Sequence, residues 1–183
     1  MSLHIHSRNR VLICILLLII FSILLWRSRI FHRIEALENP PMVGNLKYRT
    51  FVINMDKDVE RYNKIASYYH NSDLSELPLE RYSAVVGKNV EPSDWLTDDA
   101  ISDFNQVLNN GHRTHHYQLT YGGIGCFLSH YNLAKQLLSE KNVDAYIVFE
   151  DDTAIPRNLL SHIETQMSEL PEDWDYLMFY TIR

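Results

Sequence analysis

From Val11 to Trp26 the chain reads VLICILLLIIFSILLW, an apolar run whose single polar residue is Ser22. With no polar face to offer water, such a run must meet lipid. At about 1.5 Å rise per residue it spans roughly 24 Å, a little short of a bilayer core of about 30 Å. Arginines on both flanks (Arg8 and Arg10, Arg27 and Arg29) can snorkel to absorb that deficit. A cleaved signal peptide is the alternative, but Arg27-Ser28-Arg29-Ile30-Phe31 has no pair of small residues at peptidase spacing, which points to an uncleaved anchor. The expected organisation is a tail over residues 1–10, an anchor over 11–26, a stalk over 27–46 containing Pro40-Pro41 and Gly44, and a folded domain over 47–183.

In that domain the hydrophobic period alternates between strand and helix. Tyr48 to Met55 (YRTFVINM) reads as a buried first strand. A helix starting at Asp56 to Asp58 follows, with Val59, Tyr62, Ile65, Ala66 and Tyr69 at helical spacing. Leu79 to Val86 reads as a second strand closed by Gly87. Ser93 is placed to cap a helix with a Leu96, Ile101, Phe104 and Leu108 face, ending at Asn109-Asn110-Gly111. Thr120 to Ser139 predicts a helix, Ala145 to Phe149 a strand, Asn158 to Met167 a helix and Trp174 to Tyr180 a last strand. Connections long enough for crossovers predict an α/β domain with a largely parallel sheet, whose ligands sit beyond the carboxyl ends of the strands.

Charge separates the two parts. Residues 1–36 carry five arginines against Glu35, whereas residues 37–183 carry twelve Lys+Arg against twenty-two Asp+Glu. A body this acidic lacks the electrostatic footprint of a nucleic-acid binder, so no nucleic-acid partner is expected. Two cysteines, Cys14 and Cys126, form no disulfide framework and leave the redox compartment unread. The arginine flanks of the apolar run nearly tie under the positive-inside rule, so orientation rests on what the body does.

The sharpest chemical feature is Tyr146-Ile147-Val148-Phe149 running into Glu150-Asp151-Asp152. Three adjacent carboxylates at a strand end are costly unless solvated or bound to a cation, and hard ions such as Mg²⁺ or Mn²⁺ take oxygen ligands and bridge to phosphates. Glu150 and Asp152 share a side if the backbone stays extended. A solvated acidic turn leading to the next helix is the plainer reading. Gly122, Gly125, Cys126 and Ser129 recur at helical spacing as a ridge of small residues that permits close approach of a backbone, a sheet or a nucleotide. His112, His115 and His116 could hold zinc, but with no patterned fourth ligand they read as a polar loop.

Five segments in order, Val52-Ile53-Asn54-Met55-Asp56 with Glu60-Arg61, Arg81 to Gly87, Leu119 to His130, Val148 to Asp152 and Trp174 to Leu177, resemble glycosyltransferase family 25. That family includes lipooligosaccharide galactosyltransferases and collagen hydroxylysine galactosyltransferases. The resemblance covers residues 47–183 and implies an A-type glycosyltransferase fold, partial here, behind one transmembrane helix. It implies a UDP-sugar donor, a glycan or glycoprotein acceptor, and an Mn²⁺ or Mg²⁺ ion on Glu150, Asp151 and Asp152. Donor-binding positions carried over are Asn54, Arg61, Ala84, Gly87, Ser129 and His130. Arg61 is equally readable as a surface ion-pair partner, and His130 as a satisfied buried histidine. The substrates would place the body in the lumen of the endoplasmic reticulum or Golgi, as a single-pass type II protein.

Two departures stand out. The family's glutamate after the first glycine, which would make a Thr-x-x-Glu capping box with Thr120, is Gly123 here. The chain also reaches only Arg183, shortly after the strand expected at Trp174, and contains no residue identifiable as a general base. The expected activity is hexosyl transfer, with a catalytically silent, nucleotide-sugar- or partner-binding module as the alternative.

Overall fold

The computed structural model describes residues 46–171 and 173–179, the backbone of a short strand at Met42–Val43, and Arg27. The chain divides into two compact units, Met1–Pro41 and Met42–Arg183. The anchor expected over residues 11–26 lies outside the described residues; among those described, no helix is long and apolar enough to cross a membrane.

The second unit is built on strands β1 (Met42–Val43), β2 (Leu46–Asn54), β3 (Leu79–Ser83) and β4 (Ala145–Glu150) and helices α1 (Val59–His70), α2 (Asp98–Asn110), α3 (Tyr121–Ser139) and α4 (Leu159–Met167). β2 lies between β3 and β4 and is parallel to both, from Thr50↔Leu79 to Asn54↔Ser83 on one edge and from Tyr48↔Ala145 to Ile53↔Glu150 on the other. β1 pairs antiparallel with its start. Every residue of β2 from Thr50 to Asn54 is buried because both faces are covered. Val52 packs with Ile65 and Tyr69 of α1 and Leu159 and Ile163 of α4. Its neighbours Phe51 and Ile53 point the other way and pack with Leu133 of α3. This α/β arrangement with a parallel sheet fits a nucleotide-sugar-transferase-like fold.

Arg49 ties the sheet together on the α3 side. Its guanidinium pairs with Glu80 of β3 at 2.7 Å and with Glu140 at the end of α3, and lies over the Phe51 ring at 4.9 Å. Glu140 also accepts the Tyr146 hydroxyl.

Four expected details are corrected. The second strand ends at Ser83, not Val86, because the Val85 N–H leaves the ladder for Ser129 Oγ at 2.9 Å. The cap of α2 is Thr97, whose Oγ1 accepts from the Ala100 N–H at 3.4 Å; Ser93 sits in a 3₁₀ turn at Pro92–Asp94 and donates to Glu91. The buried face of α2 is Phe104 with Val107, leaving Leu108 exposed. Trp174–Phe179 is not a strand: Trp174 folds back on the Tyr48–Ala145 cluster while Tyr176, Met178 and Phe179 face solvent, and no described strand pairs with them. Tyr180 lies outside the described residues.

Candidate functional site

The parallel strands deliver Asn54, Ser83 and Glu150 to one edge of the sheet. Asn54 is buried there, and its carboxamide joins three elements. Its Nδ2 donates to Asp151 Oδ2 at 2.7 Å and to the Asp58 carbonyl at 3.0 Å, and its Oδ1 accepts from Arg81 Nε at 2.8 Å. Arg81 in turn donates to the Met55 carbonyl at 3.0 Å and pairs with Asp56 at 3.2 Å, where Ser83 Oγ also donates at 2.7 Å. A buried amide with both ends satisfied fixes the geometry of this edge.

The acidic segment does not continue as a strand. β4 stops at Glu150, and the Thr153 N–H donates to the Glu150 carbonyl at 3.0 Å, closing a turn through Asp151 and Asp152. The extended backbone needed to put Glu150 and Asp152 side by side is therefore absent, and the carboxylates take different partners. Asp151, largely buried, faces α1 and pairs with Arg61 at 2.6 Å, while Asp152 lies 3.7 Å from the same guanidinium. Glu150 faces α3, where His130 Nε2 sits at 3.1 Å and the Cys126 thiol donates at 3.4 Å. Sharing Arg61 between Asp151 and Asp152 while Glu150 turns to His130 relieves the repulsion that three adjacent charges would otherwise suffer.

These partners set the protonation states. The His130 hydrogen bond holds the Glu150 carboxyl below its ordinary range, more than offsetting partial burial, and the Cys126 thiol adds to the effect. Burial, then the Glu150 and Asp152 charges, push the Cys126 thiol up to about 11. Cys126 is a free thiol.

The remaining expected donor residues lie beneath this edge. Ser129 is fully buried, its hydroxyl donating to the Gly125 carbonyl at 2.7 Å and accepting from Val85 N–H. Ala84 donates its N–H to the Asn54 carbonyl at 3.0 Å and packs with Phe51 and Ile53. A methyl group on Gly87 would overlap the Tyr121 carbonyl, and one on Gly125 the Val85 carbonyl. The close approach along the small-residue ridge is thus between α3 and the 85–87 backbone. Thr120 caps α3 through Oγ1, accepting from the Gly123 N–H at 3.1 Å.

Of the expected residues, Asn54, Arg61, His130, Glu150, Asp151 and Asp152 meet at the strand ends; Ala84, Gly87 and Ser129 support the packing below. Arg81 and Cys126 belong to the constellation but were not singled out as site residues. The sequence signals for them are an arginine two residues before the end of a partly exposed strand and a cysteine one helical turn before His130. His112, His115 and His116 stay in the exposed loop after α2, His115 stacked on Tyr117 at 5.2 Å.

A hard divalent cation requires few protein ligands when a diphosphate supplies the others. Glu150 and Asp152 offer oxygens on side chains about half exposed or more, so the donor set suits such an ion in kind. Asp151, held by Asn54 and Arg61, is committed to the turn itself.

A family model described as Glycosyltransferase family 25 (LPS biosynthesis protein) matches residues 47–182. A glycosyltransferase 25 family member of Anopheles gambiae is 33% identical over 104 residues, covering 56% of this chain and 16% of that protein. Procollagen galactosyltransferase 1-A of Xenopus laevis is 39% identical over 66 residues, 34% of this chain and 11% of that protein. A bovine protein named probable inactive glycosyltransferase 25 family member 3 is 34% identical over 62 residues, 32% of this chain and 10% of that protein. The chain therefore spans only a small part of the curated relatives it matches. On the extent of the family match, joined to a parallel sheet that ends in an acidic turn, this chain belongs to glycosyltransferase family 25.

Proposed function

We propose that the domain transfers a hexose, galactose in the first instance, from a UDP-sugar to a glycan or glycoprotein acceptor. The observation that carries this reading is the meeting of Arg61 with the acidic turn at the carboxyl end of the sheet, where a nucleotide diphosphate would lie. The similarity to proteins named procollagen galactosyltransferase supports the choice of sugar. Arg61 is about half exposed and can turn its guanidinium from the carboxylates to a phosphate. Glu150 and Asp152 would hold Mn²⁺ or Mg²⁺, which when bound neutralises charge developing on the departing diphosphate. Asn54 keeps Asp151, and with it the turn, in register. The run from Val11 to Trp26 would anchor the protein as type II in the endoplasmic reticulum or Golgi, with the acidic body in the lumen.

A second reading is a silent module that binds donor without efficient transfer. Gly123, in the position of the family's capping-box glutamate, favours it, as does similarity to a relative named probable inactive. Incubating the full chain in mild detergent with Mn²⁺ and separate UDP-sugars, with and without acceptor glycopeptides, tests both. Acceptor-dependent UDP release with UDP-galactose supports transfer. UDP binding without release supports the silent module, and neither binding nor release contradicts both.

A further inference from the structure

We propose that Cys126, His130 and Glu150 form a three-ligand site for a zinc-class divalent cation that forms without a nucleotide and shares Glu150 with the donor-site ion proposed above. One ligand atom from each residue lies within 4.8 Å of the others. Cys126 and His130 are four apart on α3, so both project from one helix face, one turn from each other. Glu150, the last residue of β4, completes the group from across the sheet–helix junction.

The spacing matches coordination. A tetrahedral ion with a sulfur ligand at about 2.3 Å and oxygen and nitrogen ligands at about 2.0 to 2.1 Å has a sulfur–oxygen edge of about 3.5 Å and a nitrogen–oxygen edge of about 3.3 Å. Here Cys126 Sγ is 3.4 Å and His130 Nε2 is 3.1 Å from Glu150 Oε1. The two edges that meet at Glu150 are thus within a few tenths of an ångström of coordination spacing, and the third, between Cys126 and His130, lies within 4.8 Å.

The donor set also selects the metal. A thiol and an imidazole suit zinc, cobalt(II) or nickel(II), whereas Mg²⁺ takes oxygen. Three ligands from the protein leave a fourth position, and the exposure of Cys126 and Glu150 opens it to solvent. Cys126 donates its proton to Glu150 in the metal-free site. Binding replaces the S–H bond with an S–metal bond and sends that proton to solvent, so one proton is released per ion bound. This site requires no nucleotide and stands whether or not the domain transfers sugar.

The test uses cobalt(II) as a spectroscopic probe on the full chain in mild detergent with a non-thiol reductant. Titration should give a saturable thiolate-to-cobalt charge-transfer band at one ion per chain, displaced by zinc. Cys126→Ser should abolish the band. His130→Gln should weaken binding roughly tenfold or more, and Asp152→Asn should retain the band; melting curves verify that each variant is folded. No band in the unmodified chain overturns the proposal and leaves only a hydrogen-bonded trio. A band that persists in Cys126→Ser, or disappears in a folded Asp152→Asn, overturns it by moving the ion elsewhere. Mn²⁺-dependent UDP binding, measured separately, reports on the donor site, so failure of one does not count as failure of the other.

Discussion

Asn54, buried at the end of β2, donates its side-chain amide to Asp151 Oδ2 at 2.7 Å, joining two residues 97 positions apart. The same carboxamide accepts from Arg81, so one neutral side chain sets the spacing of β2, β3 and the acidic turn. Asn54→Ala leaves the mostly buried Asp151 carboxylate short of a donor and removes one of three partners of the more exposed Arg81 guanidinium. The expected cost is about 2 to 3 kcal/mol, since a hydrogen bond to a charged group contributes about 1.5 to 3. Denaturant unfolding checks the loss, and Asn54→Asp should cost more by setting a second carboxylate against Asp151.

Gly123→Glu and Gly87→Ala should move stability in opposite directions. At Gly123 an added Cβ meets only Leu119 Cδ2 and Thr120 Oγ1 at 3.7 Å, ordinary contact, and the carboxylate can reach back to complete the cap that Thr120 begins. Removing a helix glycine and closing the capping box should raise stability by about 1 to 2 kcal/mol, several degrees in Tm. At Gly87 the new methyl overlaps the Tyr121 carbonyl, and separating the 85–87 segment from α3 should cost about 2 to 3 kcal/mol. Scanning calorimetry reads both. We expect no gain in sugar transfer from Gly123→Glu; transfer gained by that substitution alone would mean the missing carboxylate was chemical.

Much of this architecture was legible because local and tertiary demands agree. β2 is apolar without alternation because both faces are covered, and Thr120 caps α3 as its place at the head of the family's Thr-x-x-Glu pattern implies. Pattern misleads where an unseen partner decides. Both Ser93 and Thr97 are cap-forming residues, but Ser93 falls within a 3₁₀ turn and the helix begins only at Asp98, so Thr97 is the cap. Trp174–Phe179 has strand-like composition, yet a strand requires a neighbour to pair with. The acidic segment was visible in sequence, but the divergence of its carboxylates was not. That divergence depends on Arg61 arriving from α1 and on Cys126 and His130 arriving from α3.

Helix α4 is capped from a distance. Its own Asn158 makes no side-chain cap; instead the Asp73 carboxylate accepts from the Leu160 N–H at 2.8 Å and the Ser161 N–H at 3.1 Å. Burial alone would raise the Asp73 pKa, but these bonds outweigh it and lower the value. A carboxyl depressed in the folded state stabilises above its unfolded pKa of about 4, and that contribution is lost as pH falls through the lower folded value. Asp73→Asn should therefore cost about 1 kcal/mol at neutral pH and less in acid. A stability difference that does not narrow on acidification contradicts the assignment.

The proposed lumenal placement of the body can be tested cleanly because the sequence contains no natural Asn-x-Ser/Thr acceptor. A sequon engineered in the exposed loop near Asn110 should acquire glycan in microsomes, seen as an endoglycosidase-sensitive mobility shift. Protease digestion of the body in intact microsomes would contradict it.

The central claim is that the strand-end constellation receives a nucleotide diphosphate with a divalent cation. Calorimetric titration of UDP into the full chain in mild detergent, with Mn²⁺ and again with chelator, tests it most directly. Saturable binding is expected with Mn²⁺, lost with chelator and abolished in a folded Asp152→Asn variant. Equal affinity with and without chelator, or no binding by the unmodified chain, would contradict it and reduce Glu150, Asp151 and Asp152 to a turn held by Arg61 and His130.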